Sequence, residues 1–242
     1  VNYLTGEPLN LSGARARFTN EDGTIQTFNV STNQVSGFNT YSSIFGRQTL
    51  TLTYRGLSTT FDVYLNRFID VPYGHQTYTR INDLAEKGII NGYRDDTFRP
   101  NNNITRAQAA VMIVRALGID QRGKTSSFAD VPSSHASYEF ISAAYEAGII
   151  SGYSADNTFR PNDNITRQQI AVMIQRAFNV VHSGEDISFS DVPDSMPSQR
   201  FIEALASNGV INGYRDGTFK PTNNTTRAQF SSMIYNAMRY GK

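Results

Sequence analysis

The stretch NNNITRAQAAVMIVRALG, residues 101–118, decides how the larger part of this chain is read. Ala109, Met112, Ile113, Ala116 and Leu117 fall at helical spacing, and Gly118 supplies a helix stop. Ahead of them, Thr105 and Gln108 stand three residues apart, the spacing of a capping box. Between those two sits Arg106, a cation in the first turn, where the helix end already carries partial positive charge. The pattern recurs as ITRQQ at 165–169 and TTRAQ at 225–229, giving the pairs Thr166/Gln169 and Thr226/Gln229 around Arg167 and Arg227. A cation placed three times at an unfavourable position calls for a compensating anion.

Outward from these helices the chain is an internal repeat. DVP begins at 70, 130 and 191, and GIINGY, GIISGY and GVINGY begin at 88, 148 and 209. TFRP or TFKP follows each before the arginine helix. Each copy reads as helix, loop, helix, with Ile81, Leu84 and Ala85 on one face of the first helix and Gly88 at its end. Two short helices cannot bury their apolar faces alone, so neighbouring copies have to pack together. The loop of the second copy is one residue longer, which places a surface turn between Tyr153 and Thr158.

Residues 1–66 follow a different rule. ARARFT, IQTFNV, QTLTLTYRG and LSTTFDVYL alternate apolar and polar residues, and NEDG and YRG supply turns between them. A small antiparallel sandwich is expected. This segment, through YLTGEPLNLSG, VSGFNT and GRQTLTLTYRGLSTTFDVYL, resembles a bacterial immunoglobulin-like domain, a spacer by implication.

Composition removes several function classes. The 242 residues carry a net charge of +1, with four basic and four acidic residues before position 67, so no basic face for nucleic acid or anionic membrane is implied. There is no cysteine, hence no disulfide or thiolate chemistry, and no apolar run long enough for membrane insertion. The start at Val1 reads as a piece of a longer polypeptide. His75 and His135 lack partners at metal or catalytic spacing, and Met196 takes their place in the third copy. Asp70, Asp130 and Asp191 suit turn capping better than an acid pair. The loops break a calcium-ligand pattern with Phe and Pro. No metal, cofactor or catalytic residue is expected.

On chemistry alone, Arg106, Arg167 and Arg227 would meet an anion beside open first-turn amides. The alternative is an internal ion pair with Asp95, Asp156 or Asp216. Tyr93, Tyr153 and Tyr214 suit a sugar face as well as ordinary packing. Gly92, Gly152 and Gly213 give room for a ligand near the backbone, or simply form turns.

The threefold order FxDVP, GxIxGY, TFxP, TRxQ is similar to the surface-layer homology family, over residues 67–242. The resemblance implies three repeats (67–122, 123–184 and 185–242) forming an all-α domain in a pseudo-threefold arrangement, with grooves between repeats. It implies non-catalytic anchoring of a bacterial surface protein, by binding secondary cell-wall polysaccharide through an acidic, pyruvylated terminal sugar. It further implies that the three arginines and the Gly-Tyr pairs line the grooves, with self-association of the parent protein as the competing role. Gln108, Gln169 and Gln229 stand where the family carries Glu, which removes a carboxylate that would compete with an anionic ligand. The third copy departs furthest, with Met196 and Thr225, and its groove is expected to be the weakest.

Overall fold

The computed structural model describes residues 1–41 and 45–240, so the last two residues of the expected third repeat lie outside the described residues. The chain forms two compact units: Val1–Tyr78 with Gly92–Phe98, and Thr79–Asn91 with Arg99–Lys242.

In the first unit, β1 (Asn2–Leu4), β4 (Val35–Ser36), β5 (Gly46–Tyr54) and β6 (Leu57–Asn66) form one sheet in the order β1-β6-β5-β4. Strands β2 (Arg15–Thr19) and β3 (Ile25–Asn29) form a separate antiparallel pair. The expectation of wholly antiparallel pairing needs correction, because β1 runs parallel to β6, pairing Tyr3 with Leu65. Arg55 and Gly56 both have positive φ (52° and 80°), the geometry of a two-residue hairpin whose twist matches β5 and β6. Tyr3, Leu50, Val63 and Leu65 are buried together, with Phe38, Phe45 and Phe61 packed against them.

The second unit is built on α1 (Tyr78–Glu86), α2 (Arg106–Leu117), α3 (Tyr138–Glu146), α4 (Arg167–Phe178), α5 (Gln199–Ala206) and α6 (Arg227–Ala237). Helices α2, α4 and α6 pack on one another, while α3 packs on α2 and α5 on α4. Capping boxes are present at Thr105/Gln108, Thr166/Gln169 and Thr226/Gln229, with each threonine side chain accepting from the glutamine amide. Gly118 ends α2 in the left-handed conformation (φ 65°) and Asn179 does the same for α4.

An all-α domain does not describe this unit. Its helices are only 8 to 12 residues long. Extended segments ahead of α2, α4 and α6 bridge to one another instead, pairing Thr105 with Asn164, Thr166 with Asn224 and Asn103 with Thr226. Ile165 N–H donates to Ile104 O (3.1 Å), Thr225 N–H to Ile165 O (3.1 Å) and Ile104 N–H to Thr225 O (2.9 Å), closing a ring of three. Buried amides have to be paired, and residues just before a helix cap cannot pair helically. Strand-like bridging among the copies satisfies them, a tertiary solution that local periodicity does not encode.

Ile104, Ile165 and Thr225 are all fully buried in that ring. Among the described residues the Thr225 hydroxyl has no hydrogen-bond partner, whereas the two other copies place isoleucine there. Thr225→Val removes the unpaired group at nearly constant shape and should stabilise the unit by about 1 kcal/mol. A lower urea midpoint for the variant would contradict this reading of the ring.

Candidate functional site at the junctions between repeats

Each TRxQ arginine reaches out of its own repeat. Arg106 Nε donates to Phe159 O at 2.7 Å, and Arg167 donates through Nε to Phe219 O (2.8 Å) and through Nη2 to Asn212 O (3.1 Å). Arg227 Nη2 donates to Asn91 O at 3.1 Å. The first repeat thus docks on the second, the second on the third, and the third on the first. Arg106 lies over the rings of Tyr153 (5.1 Å) and Phe159 (4.7 Å), and Arg167 over Tyr214 (5.1 Å) and Phe219 (4.4 Å). The structure therefore joins Arg106 to Tyr153 and Arg167 to Tyr214, partners taken from the following repeat. Sequence spacing alone could not select them.

Two expectations about these arginines need correction. The first-turn amides are not open: Arg106 N–H donates to Asp163 O (2.9 Å) and Ala107 N–H to Pro161 O (3.0 Å). Likewise Arg167 and Gln168 donate to Asn223 O and Pro221 O, and Arg227 and Ala228 to Asn102 O and Pro100 O. Neighbouring loops have already taken the donors an anion would need. Nor, among the described residues, do Arg106 and Arg167 pair with the loop acids. Asp156 binds Arg160 (3.0 Å) and Thr158, and Asp216 binds Lys220 (3.3 Å) and Thr218. The Asp95 carboxylate accepts from the Thr97 amide and hydroxyl within its own turn.

The three residues are almost fully buried, with 7%, 4% and 7% exposure at Arg106, Arg167 and Arg227. Among the described residues no acid makes an ion pair with Arg106 or Arg167. Burial pulls both below the ordinary arginine value, and the nearby phenols of Tyr153 and Tyr214 act in the opposite sense. Arginine nevertheless remains charged in proteins. Asp163 and Asp130 act on Arg106, and Asp191 on Arg167, in the same sense as the phenols without forming an ion pair. A buried charge held by carbonyls and ring faces, with acids only at longer range, leaves a positive potential that a nearby anion would lower in energy.

That potential reaches open space. Arg106 lines a cavity of about 190 Å³ with Tyr153, Gly152, Gln169 and Arg176, and Arg227 lines another of about 230 Å³ with Asn91, Gln108 and Arg115. Neither lining contains a carboxylate. Gln169 Nε2 lies 3.3 Å from the Tyr153 hydroxyl while its Oε1 accepts from Thr166 N–H, so the capping glutamine also orients the phenol.

The Gly-Tyr glycines have an internal cause. A Cβ on Gly152 would lie 2.3 Å from the Phe128 ring and 2.6 Å from Thr158 O, and one on Gly213 2.3 Å from Phe189 and 2.8 Å from Thr218 O. In the first unit, Gly92 faces Phe68 at 2.4 Å, and Tyr93 N–H donates to Thr97 O at 2.8 Å. The side of each glycine that would carry a side chain is filled by protein. The aspartates of DVP hold the same turns: Asp130 accepts from the amides of Phe159 and Arg160, and Asp191 from those of Phe219 and Lys220. Arg160 and Lys220 sit at positive φ (60° and 58°), a conformation costly for side-chain-bearing residues, and the paired carboxylate offsets that cost. His75 and His135 accept through Nδ1 from the amides of Thr77 and Ser137, closing the entry turns of α1 and α3.

This arrangement is a set of three interlocked copies of one repeat, with basic cavities at two of the junctions. The S-layer homology domain model matches residues 67–110, 127–171 and 188–231, more than half of the chain. The chain belongs to that family. A bacterial Ig-like domain (group 3) matches residues 2–64. The chain is 36% identical to cell surface glycoprotein 1 of Acetivibrio thermocellus over 64% of its own length and 7% of the relative. It is 34% identical to the cellulosome-anchoring protein of the same organism, over 63% of this chain and 36% of that one. An endoglucanase of Bacillus sp. (strain KSM-635) is 34% identical over 69% of this chain, which spans only 18% of the enzyme. So small a share carries no activity across. The relatives matched through these repeats are named as cell-surface and cellulosome-anchoring proteins, and the chain is a bacterial cell-surface one.

Proposed function

We propose that the repeats hold a surface protein on the cell envelope by capturing an acidic glycan end in the cavities between copies. The observation that carries this reading is the pair of half-enclosed hollows that contain arginine and no acid. The buried Arg106 is fixed by Phe159 O, so its orientation is set before a ligand arrives and little ordering entropy is lost on binding. Tyr153 offers a ring face to pyranose C–H groups, and its hydroxyl, held near Gln169, meets sugar hydroxyls. A pyruvate ketal on the terminal sugar supplies the carboxylate that such a site favours. Arg167 with Tyr214 forms the corresponding arrangement on the third copy. Several weak sites on one chain raise retention by orders of magnitude without a tight individual contact.

Pelleting with purified wall sacculi tests the reading. The chain should sediment with intact sacculi and remain in solution once the polysaccharide has been chemically stripped. Equal sedimentation with both would exclude glycan capture and favour self-assembly.

A further inference from the structure

The two cavities share a feature outside the TRxQ motif. The floor of the first is one face of α4, Gln169, Val172, Met173 and Arg176, at i, i+3, i+4 and i+7. The floor of the second is the same face of α2, Gln108, Val111, Met112 and Arg115. Each therefore holds two guanidiniums, a buried one delivered by another repeat and a more accessible one on its own helix. In the first cavity the buried cation lies at the capping-glutamine end. Arg106 is over the Tyr153 ring, and the Tyr153 hydroxyl touches Gln169. The second cation is seven residues further along, about 10 Å of helix at 1.5 Å per residue.

Neither accessible arginine is neutralised. Among the described residues Arg115 and Arg176 form no ion pair, and their nearest described cation–ring contacts are with Phe140 (5.3 Å) and Phe201 (5.9 Å). The third copy differs at this place. Asn236 stands nine residues after Arg227, as Arg115 and Arg176 do after Arg106 and Arg167, and its amide donates to Val210 O at 3.2 Å.

We infer that Arg115 and Arg176 are second cationic contacts, and that the α2 and α4 cavities bind a glycan segment with two anionic groups about 10 Å apart. This rests on the glycan-capture reading above and extends it from one terminal acid to acids on neighbouring sugars. The α6 face, with Asn236, takes a segment with one acid and is the weaker of the three. A cation at each end fixes the direction in which the glycan lies, which a single buried charge does not.

The test is titration of the full chain with purified wall polysaccharide and, separately, with a pyruvylated N-acetylmannosamine monosaccharide that carries one carboxylate. The Arg115→Gln/Arg176→Gln double variant should bind the polysaccharide at least about tenfold more weakly, the scale of one charge-assisted contact, and with a shallower salt dependence. Its monosaccharide affinity should stay within about twofold of the parent, and Asn236→Arg should strengthen polysaccharide binding. The Arg115→Lys/Arg176→Lys variant keeps the charge and should recover most of the loss. Unchanged polysaccharide affinity in the glutamine variant overturns the inference while leaving glycan capture intact. An equal loss on the monosaccharide overturns the two-acid assignment. Failure of the parent chain to bind either probe removes the glycan reading itself.

Discussion

Arg167→Ala should lower the unfolding free energy of the repeat unit by about 3 kcal/mol, the scale of two lost hydrogen bonds from a charged donor. The side chain is 4% exposed and donates to the carbonyls of Phe219 and Asn212, which the substitution would leave unpaired. It also fills the space beside the Tyr214 and Phe219 rings, so a void adds to the cost. Arg167→Lys restores charge but not the planar fork that spans both carbonyls, and should recover only part of the loss. Urea unfolding followed by circular dichroism reads both effects. An alanine variant as stable as the parent would show that the arginine does not join the second repeat to the third. Alanine at Arg106 or Arg167 removes a contact between repeats as well as the proposed ligand contact. In the structure these residues hold the copies together, so lost wall retention in such variants reports unfolding as well as lost contact.

Gly152→Ala should be nearly as damaging, at about 3 kcal/mol, the upper range for overpacking a filled interior. The added methyl meets a phenylalanine ring at 2.3 Å and a backbone oxygen at 2.6 Å, and the backbone cannot swing aside as a flexible side chain would. On a unit of this size the melting temperature should fall by roughly 10 °C. Gly213→Ala should behave alike, because Phe189 and Thr218 O occupy the equivalent space. A variant that melts with the parent would mean that these turns tolerate a side chain, and that the glycines serve the ligand and not the packing.

What could be read from the sequence was local. The capping boxes and the Gly118 stop are each set by residues within one turn of each other, and the 60- and 61-residue offsets of DVP are visible in order along the chain. The DVP aspartates read from sequence as turn caps, but the amides they hold lie 28 to 30 positions further along the chain. What lay hidden was everything that one copy does to another. Nothing in TRAQ reveals that Arg106 will meet Phe159 rather than Phe98, or that the amides of Arg106 and Ala107 are taken by Asp163 and Pro161. The all-α expectation failed at the same point, since the strand-like bridges of Asn103 and Thr105 run to segments about sixty positions or more away. The parallel partner of β1 escaped notice because three residues, Asn2–Leu4, are too few to show alternation. Arg115 and Arg176 are charged positions in the last turns of α2 and α4 and belong to no motif. Only the shared cavity walls set them apart.

The proposed capture of an acidic glycan end depends on charge within the inter-repeat hollows, and calorimetric titration addresses that directly. The full chain would be titrated with N-acetylmannosamine carrying a pyruvate ketal and with the same sugar lacking it. Saturable binding of the acidic sugar, at least about tenfold tighter than the neutral one, is the predicted result. Equal affinity for the two sugars, or no binding of either, would contradict it.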